Sequence, residues 1–282
     1  MSLVKLPSGV DILTRPRFRE AAGTRTTFIF LHYWGGSSRT WSEVVDLIMA
    51  RNPSFDCLSF DARGWGHSSK DANLELDLES MATDVGNLVS HFGIQSYILV
   101  GHSMGGKVAL LHASRQASQA LKGVALVASA TPGPQPMPVE ENEMLSNLYD
   151  HLEQAVPSIL ERLVRMPLTE EQKQRVTEDT TSGTRHSWEV WPRVNMKRDI
   201  RGLQEGAGEW TIDKPTMIIA SHDDPIDPVK SAVEHIVPHL SALSSLVELH
   251  GPGHLLPLEA SDDIAEQLIA FASSLDCNST SM

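Results

Sequence analysis

The sequence predicts an α/β protein: a mostly parallel central sheet flanked by helices, with a helical segment inserted late in the chain. Three observations carry this. Short apolar runs of strand length alternate with amphipathic stretches, the rhythm of parallel strands joined by crossover helices. One such run passes straight into Gly101-His102-Ser103-Met104-Gly105 and on into a helical pattern. The rhythm then stops over residues 131–210 and resumes beyond them.

Taken in chain order, residues 10–14 and 16–20 read as antiparallel edge strands that precede the parallel series. The parallel strands are expected at residues 27–32 (TFIFLH), 55–60 (FDCLSF), 97–101 (YILVG), 123–128 (GVALVA), 216–220 (TMIIA) and 246–250 (LVELH). Helical spacing marks residues 41–50, 76–92, 104–117 and 262–275. A proline-rich hinge, Thr131-Pro132-Gly133-Pro134-Gln135-Pro136-Met137-Pro138, opens the interruption. Behind it, residues 139–156, 158–166, 169–181 and roughly 185–202 read as helices, and strand rhythm returns at Lys214-Pro215. The expected organisation is one α/β core, residues 1–130 and 211–282, with a helical cap over residues 131–210. Helices inserted above a sheet form a natural lid.

The chain has 282 residues, enough for one large domain with a substantial core. Its formal charge of −13 argues against nucleic acid or an anionic membrane as a partner, because neither attracts an acidic surface. No apolar stretch reaches the roughly 18–20 residues that span a bilayer, and the first residues carry no apolar core of a leader peptide. Cys57 and Cys277 lie far apart and form no CxxC pair, which suits free thiols in a reducing compartment. These features set the expectation of a cytoplasmic protein.

The chemistry centres on Ser103. G-x-S-x-G between a strand and a helix is a turn tight enough to lift the serine clear of the backbone, with glycines at −2 and +2 where strand and helix approach. A hydroxyl is a weak nucleophile at neutral pH and needs a base, usually an oriented histidine. Of twelve histidines, His254 stands out in Gly251-Pro252-Gly253-His254, directly after the last strand. His102, His112, His235 and His239 are read as packing or surface residues. No histidine and acid spacing suggests a metal site, and no cofactor is expected. Two backbone N–H groups must converge on the developing oxyanion. Met104 supplies one at a helix N-terminus, and the loop His32-Tyr33-Trp34-Gly35-Gly36 is placed to supply the other.

Four motifs occur in order along the chain: HYWGG, Asp61-Ala62-Arg63-Gly64-Trp65-Gly66-His67-Ser68, GHSMGG and GPGH. With them the sequence resembles the α/β-hydrolase superfamily, and within it the capped esterase, lactonase and cofactor-free haloperoxidase branch. The resemblance implies the α/β-hydrolase fold, Ser103 as nucleophile, His254 as general base, and Met104 and Trp34 as oxyanion donors. Tyr33 stands where the family usually has glycine. The segment from Asp61 to Ser68 is a structural loop in the family, so Asp61 and Arg63 receive no catalytic role. Relatives that are haloalkane dehalogenases or epoxide hydrolases carry aspartate at the elbow, and Ser103 argues against both. The family register G-x-x-D-x-x-x-P falls on Ser221-His222-Asp223-Asp224-Pro225-Ile226-Asp227-Pro228. It assigns the acid to Asp224, with Asp227 as runner-up acid or a polar pocket contact and Asp223 facing solvent or capping the turn.

The implied reaction is acyl transfer on a small-molecule ester or lactone. Alternatives are C–C bond hydrolysis or perhydrolysis by the same residues, or a small-molecule receptor on this fold. The cap segment is rich in Met, Leu and Trp, and its ordinary role is to form the cap's own small core. Met137, Trp188 and Trp191, together with Tyr33 and Trp34, are the candidates for substrate contact.

Overall fold

The computed structural model describes residues 1–19, 25–115, 118–135, 137–203 and 210–279, with the backbone alone for residues 276–279. Glu20 of the second expected edge strand, Gln116 and Ala117 at the end of the third helix, Pro136 of the hinge and the Cys277 thiol lie outside the described residues.

Eight strands form one sheet in the order β1-β2-β4-β3-β5-β6-β7-β8. They are β1 (Ser2–Lys5), β2 (Asp11–Arg17), β3 (Thr26–Leu31), β4 (Phe55–Phe60), β5 (Tyr97–His102), β6 (Leu121–Val127), β7 (Thr216–Ser221) and β8 (Leu243–Leu249). The first two run antiparallel and the other six are parallel. The parallel strands read as unbroken apolar runs because both faces are covered. Along β3, Phe28 and Phe30 enter one core and Ile29 and Leu31 the other.

Flanking the sheet are α1 (Ser42–Arg51), α2 (Leu78–His91), α3 (Met104–Arg115), α8 (Val229–His235), α9 (Leu256–Glu259) and α10 (Ser261–Ser279). Between β6 and β7 lie α4 (Val139–Ser146), α5 (Leu152–Leu163), α6 (Glu170–Ser182) and α7 (Arg185–Val190). No helix of the described residues is long and apolar enough to cross a membrane.

Three sequence expectations are corrected. The edge strands are Ser2–Lys5 and Asp11–Arg17, not residues 10–14 and 16–20. Pro16 sits inside β2, opposite Leu58 of β4 and past Thr14, where pairing with β1 ends, so its missing N–H disturbs no ladder on that side. The expected helix over residues 139–156 breaks at Asn147 (φ −102°, ψ 4°), and α5 runs through Pro157 instead of stopping there. Residues 185–202 form α7 and then a π turn at Trp191–Asn195, where Pro192 removes a helical donor.

The segment from Asp61 to Ser68 is a buried brace. Asp61 accepts from the Ser38 N–H (2.8 Å), the Ser38 hydroxyl (2.6 Å) and the His67 N–H (2.8 Å). Arg63 grips Asp84 of α2 through two bonds of 2.7 and 2.6 Å. This ties the loop after β4 to the loop after β3, which carries Trp34.

Candidate active site

Ser103 stands at the junction of β5 and α3 with φ of 52°, a left-handed conformation that costs a non-glycine residue about 1–3 kcal/mol. Its neighbours explain how the turn is sustained. A Cβ on Gly101 would lie 2.4 Å from the Gly105 carbonyl oxygen, and one on Gly105 would lie 2.6 Å from the Leu31 carbonyl oxygen. Only glycine permits this closeness. The Ser103 N–H donates to the Val127 and Ala128 carbonyls at 3.2 and 3.1 Å, which fixes the turn against β6.

Asp224 follows β7 and is buried. Its Oδ1 accepts from the N–H groups of Ile226 (2.8 Å) and Asp227 (3.1 Å), so the loop wraps around the carboxylate. His254 follows β8 and is also buried. Its N–H donates to the Leu163 carbonyl (2.6 Å), and His102 Nε2 donates to its carbonyl (2.8 Å). Glu259 accepts from the N–H groups on both sides, Gly253 at 2.8 Å and Leu255 at 3.0 Å. The two loops are joined by Ser221, whose hydroxyl donates to the Pro252 carbonyl (2.5 Å), and by Asp223, which accepts from the Gly251 N–H (2.7 Å). Asp223 is therefore exposed but caps the histidine loop.

These placements bring three distant residues into one chain of hydrogen bonds. His254 Nδ1 donates to Asp224 Oδ2 at 2.9 Å, and His254 Nε2 meets the Ser103 hydroxyl at 3.0 Å. Burial lowers the His254 pKa, but the charge and hydrogen bond of Asp224, helped by Asp227 and Glu259, outweigh it and leave the pKa above the ordinary value. His102 shifts well below its ordinary value through burial and the neighbouring His254, and so stays neutral.

Asp227 is equally buried but makes a different contact, accepting from Gln135 Nε2 at 2.9 Å. Burial, reinforced by Asp224, pushes its pKa up to about 8 against the pull of His254, Lys107 and Gln135. Lys107 of α3 donates to the Gly133 carbonyl (2.9 Å), and burial lowers its pKa to about 8.

The Met104 N–H and the Trp34 N–H are the expected oxyanion donors. Among the described residues neither donates to another protein group. Tyr33 is buried, with its ring 5.2 Å from that of His102. The loop closes tightly around it, since a Cβ on Gly36 would lie 2.6 Å from the Tyr33 ring. The Trp34 indole donates to the Ser187 carbonyl (3.3 Å) and packs edge-on against Trp188, 4.6 Å between centroids.

Ser103 and His254 open into a cavity of about 120 Å³ whose walls include Tyr33, Trp34, Met137, Trp188 and Trp191. All five residues expected at substrate therefore lie on it. Trp188 and Trp191 are at once wall and core, being buried as well as facing the cavity. The sequence reading passed over Ile159, Arg162 and Leu163 of α5, which also line the cavity. Their i, i+3, i+4 spacing was the available signal, since such residues share one helix face. No group of His, Cys, Asp or Glu among the described residues is placed to hold a metal ion.

The family model described as alpha/beta hydrolase fold matches residues 26–261. The chain is 24% identical over 295 aligned positions to a non-heme haloperoxidase of Rhodococcus erythropolis, covering 97% of this chain and 100% of the relative. Among solved structures, an esterase of Exiguobacterium antarcticum superposes with a TM-score of 0.83 at 18% identity, covering 96% and 99% of the two chains. An enol-lactonase of Burkholderia xenovorans superposes with a TM-score of 0.78 at 18% identity, covering 96% and 100%. At these identities the structures speak for the fold alone. The match of the family model across most of its length, from β3 to the start of α10, shows that this chain belongs to the alpha/beta hydrolase fold family.

Proposed function

We propose that the protein is a serine hydrolase that cleaves carboxylic esters or lactones of small, largely apolar substrates through an acyl-enzyme. The observation that carries this reading is the hydrogen-bond chain from Asp224 through His254 to Ser103, ending at a cavity walled by aromatic and aliphatic side chains.

In this mechanism the Ser103 hydroxyl attacks the carbonyl carbon while His254 Nε2 takes its proton. The Met104 and Trp34 N–H groups bind the resulting oxyanion, a service worth about 3 kcal/mol per donor. Asp224 holds the histidine tautomer and stabilises its positive charge without taking the proton. Collapse breaks the ester C–O bond, and the departing alkoxide receives the proton from His254. Water then attacks the acyl-serine with His254 again as base, which releases the acid and restores Ser103. The helices between β6 and β7 act as a cap that keeps bulk water from the acyl-enzyme. The work is assigned to the cytoplasm.

A fluorophosphonate probe tests the core of this. Labelling of the wild type and its loss in Ser103→Ala is the expected result; no labelling, or undiminished labelling of Ser103→Ala, overturns it.

The similarity to a haloperoxidase over the full chain favours a second reading, in which hydrogen peroxide instead of water attacks the acyl-serine and leaves as a peracid. Aryl ester turnover with and without peroxide, with bromide oxidation as the readout, separates the two.

A further inference from the structure

Among the described residues, the cavity above Ser103 is lined by one permanent cation, Arg162. Apart from Ser103, His254, Tyr33 and Thr180, its walls are apolar, except for Arg162. Beyond it lies an open groove of about 600 Å³. Both spaces share Met137, Arg162, Met196 and Ile226. Arg162 thus stands on the rim where the apolar interior meets the polar groove.

Its surroundings show what chemistry that rim accepts. The Arg162 side chain is 45% exposed, and among the described residues its one hydrogen-bond partner is the carboxylate of Glu141 in α4. Glu141 lines the outer groove and not the inner cavity. A carboxylate of the protein itself meets the guanidinium from the groove side. Guanidinium carries five donors in a fork that matches carboxylate geometry, and this contact engages only Nη2. The other arginine of the groove, Arg201, lines only that outer space and is paired with Asp199 through bonds of 2.9 and 2.6 Å. Arg162 is consequently the cation within reach of a molecule that spans both spaces.

We propose that Arg162 is a specificity-determining residue that selects substrates bearing a carboxylate, whose short apolar part fills the cavity over Ser103 while the carboxylate replaces Glu141 at the rim. The inference rests on the ester hydrolase reading for its meaning in catalysis, and its test does not depend on turnover. The size of the inner space supports the division of the ligand. Its volume of about 120 Å³ suits one small ring or a short chain, since an apolar cavity of about 150 Å³ takes up benzene. A longer substrate has to extend past Arg162.

The experiment is binding of ω-phenylalkanoates of graded length and their matching amides, followed by calorimetry and by tryptophan fluorescence, for which Trp34, Trp188 and Trp191 are reporters. The best carboxylate is expected to bind the wild type about five- to tenfold more tightly than its amide, the range of a charge-assisted bond at a half-exposed site. Arg162→Met brings that ratio to one or below, since Glu141 then stands unpaired at the rim, while the amide still binds, which shows that the pocket is intact. Arg162→Lys retains part of the preference, and Glu141→Gln enlarges it by removing the competing carboxylate. Equal binding of acid and amide by the wild type, or a preference that survives Arg162→Met, overturns the proposal. So does absence of binding by every member of the series. If the carboxylate preference follows Arg162 while the fluorophosphonate leaves Ser103 unlabelled, the specificity site stands and the hydrolase reading falls.

Discussion

The backbone N–H of Asp227 donates to Oδ1 of Asp224 at 3.1 Å, so two carboxylates on one loop are joined through the backbone of one and the side chain of the other. Their side chains diverge. Asp224 faces His254, and Asp227 faces Gln135. Two carboxyl groups held in such different environments take different roles. We expect Asp224→Asn to lower kcat by roughly 10⁴-fold, the loss typical of a triad acid, and Asp227→Asn to lower it far less. Steady-state turnover of an aryl ester by the two variants decides this, and the reverse order would give the role to Asp227.

Asp227 also makes stability depend on pH. Its carboxyl titrates near 3.8 when unfolded and near 8 when folded, so between those values the native state holds a proton that the unfolded state lacks. Stability from this group therefore falls as pH rises through that window. Asp227→Asn removes the penalty. The variant should match the wild type in melting temperature near pH 4 and exceed it by a margin that widens up to pH 8, reaching roughly 10 °C, because raising a pKa from 3.8 to about 8 corresponds to about 5 kcal/mol. Calorimetric scans at the two pH values provide the measurement.

The raised His254 pKa predicts an acid limb in the rate profile. A histidine can act as a base only when neutral, and the Asp224 carboxylate, against the opposing effect of burial, holds the His254 pKa above its ordinary 6.5. The logarithm of kcat/KM should fall with a slope of about one below an inflection above pH 6.5. In Asp224→Asn the residual activity should show this inflection at lower pH, because the group that favours the charged imidazole is gone.

At the elbow, Gly101→Ala places a methyl group 2.4 Å from the Gly105 carbonyl oxygen and 2.6 Å from the Gly106 Cα. Both are backbone atoms and cannot swing aside. A loss of about 3 kcal/mol in urea unfolding is expected, together with loss of fluorophosphonate labelling as Ser103 is displaced.

Arg63→Met leaves the Asp84 carboxylate buried without its partner, which should cost about 3–5 kcal/mol. The double replacement Arg63→Met with Asp84→Leu should recover most of that loss in denaturant titration. No recovery would mean that the Arg63 bond to the Glu75 carbonyl, 2.9 Å, carries the stability instead.

Much of the fold was legible because the local signals agreed. Residues 55–60 form a strand with the expected ends, since FDCLSF is buried at every position. The strand–serine–helix motif located Ser103 because its glycines answer to specific backbone collisions. Ser2–Lys5 escaped notice because only Val4 of its four residues is buried, which leaves no alternation to read. The helix ends between β6 and β7 differ from the expected ones because Pro157 sits where a helix ordinarily stops, whereas the chain turns at Asn147, a turn and helix-end former placed inside an otherwise helical pattern. Asp227 was visible as a carboxylate, but its meeting with Gln135 depends on a contact 92 residues away in sequence. Arg162 reaches the cavity only through the tertiary placement of α5.

The bond from the His254 N–H to the Leu163 carbonyl has a bearing on how the molecule can be taken apart. Leu163 is the last residue of α5, so the segment between β6 and β7 supplies part of the scaffold on which the histidine loop rests. Joining residue 130 directly to residue 211 would not simply give a smaller protein with a wider cavity mouth. It would strip an acceptor from beneath His254. The segment is in this respect a wall of the cavity and not a detachable roof, and any replacement for it has to carry that carbonyl as well.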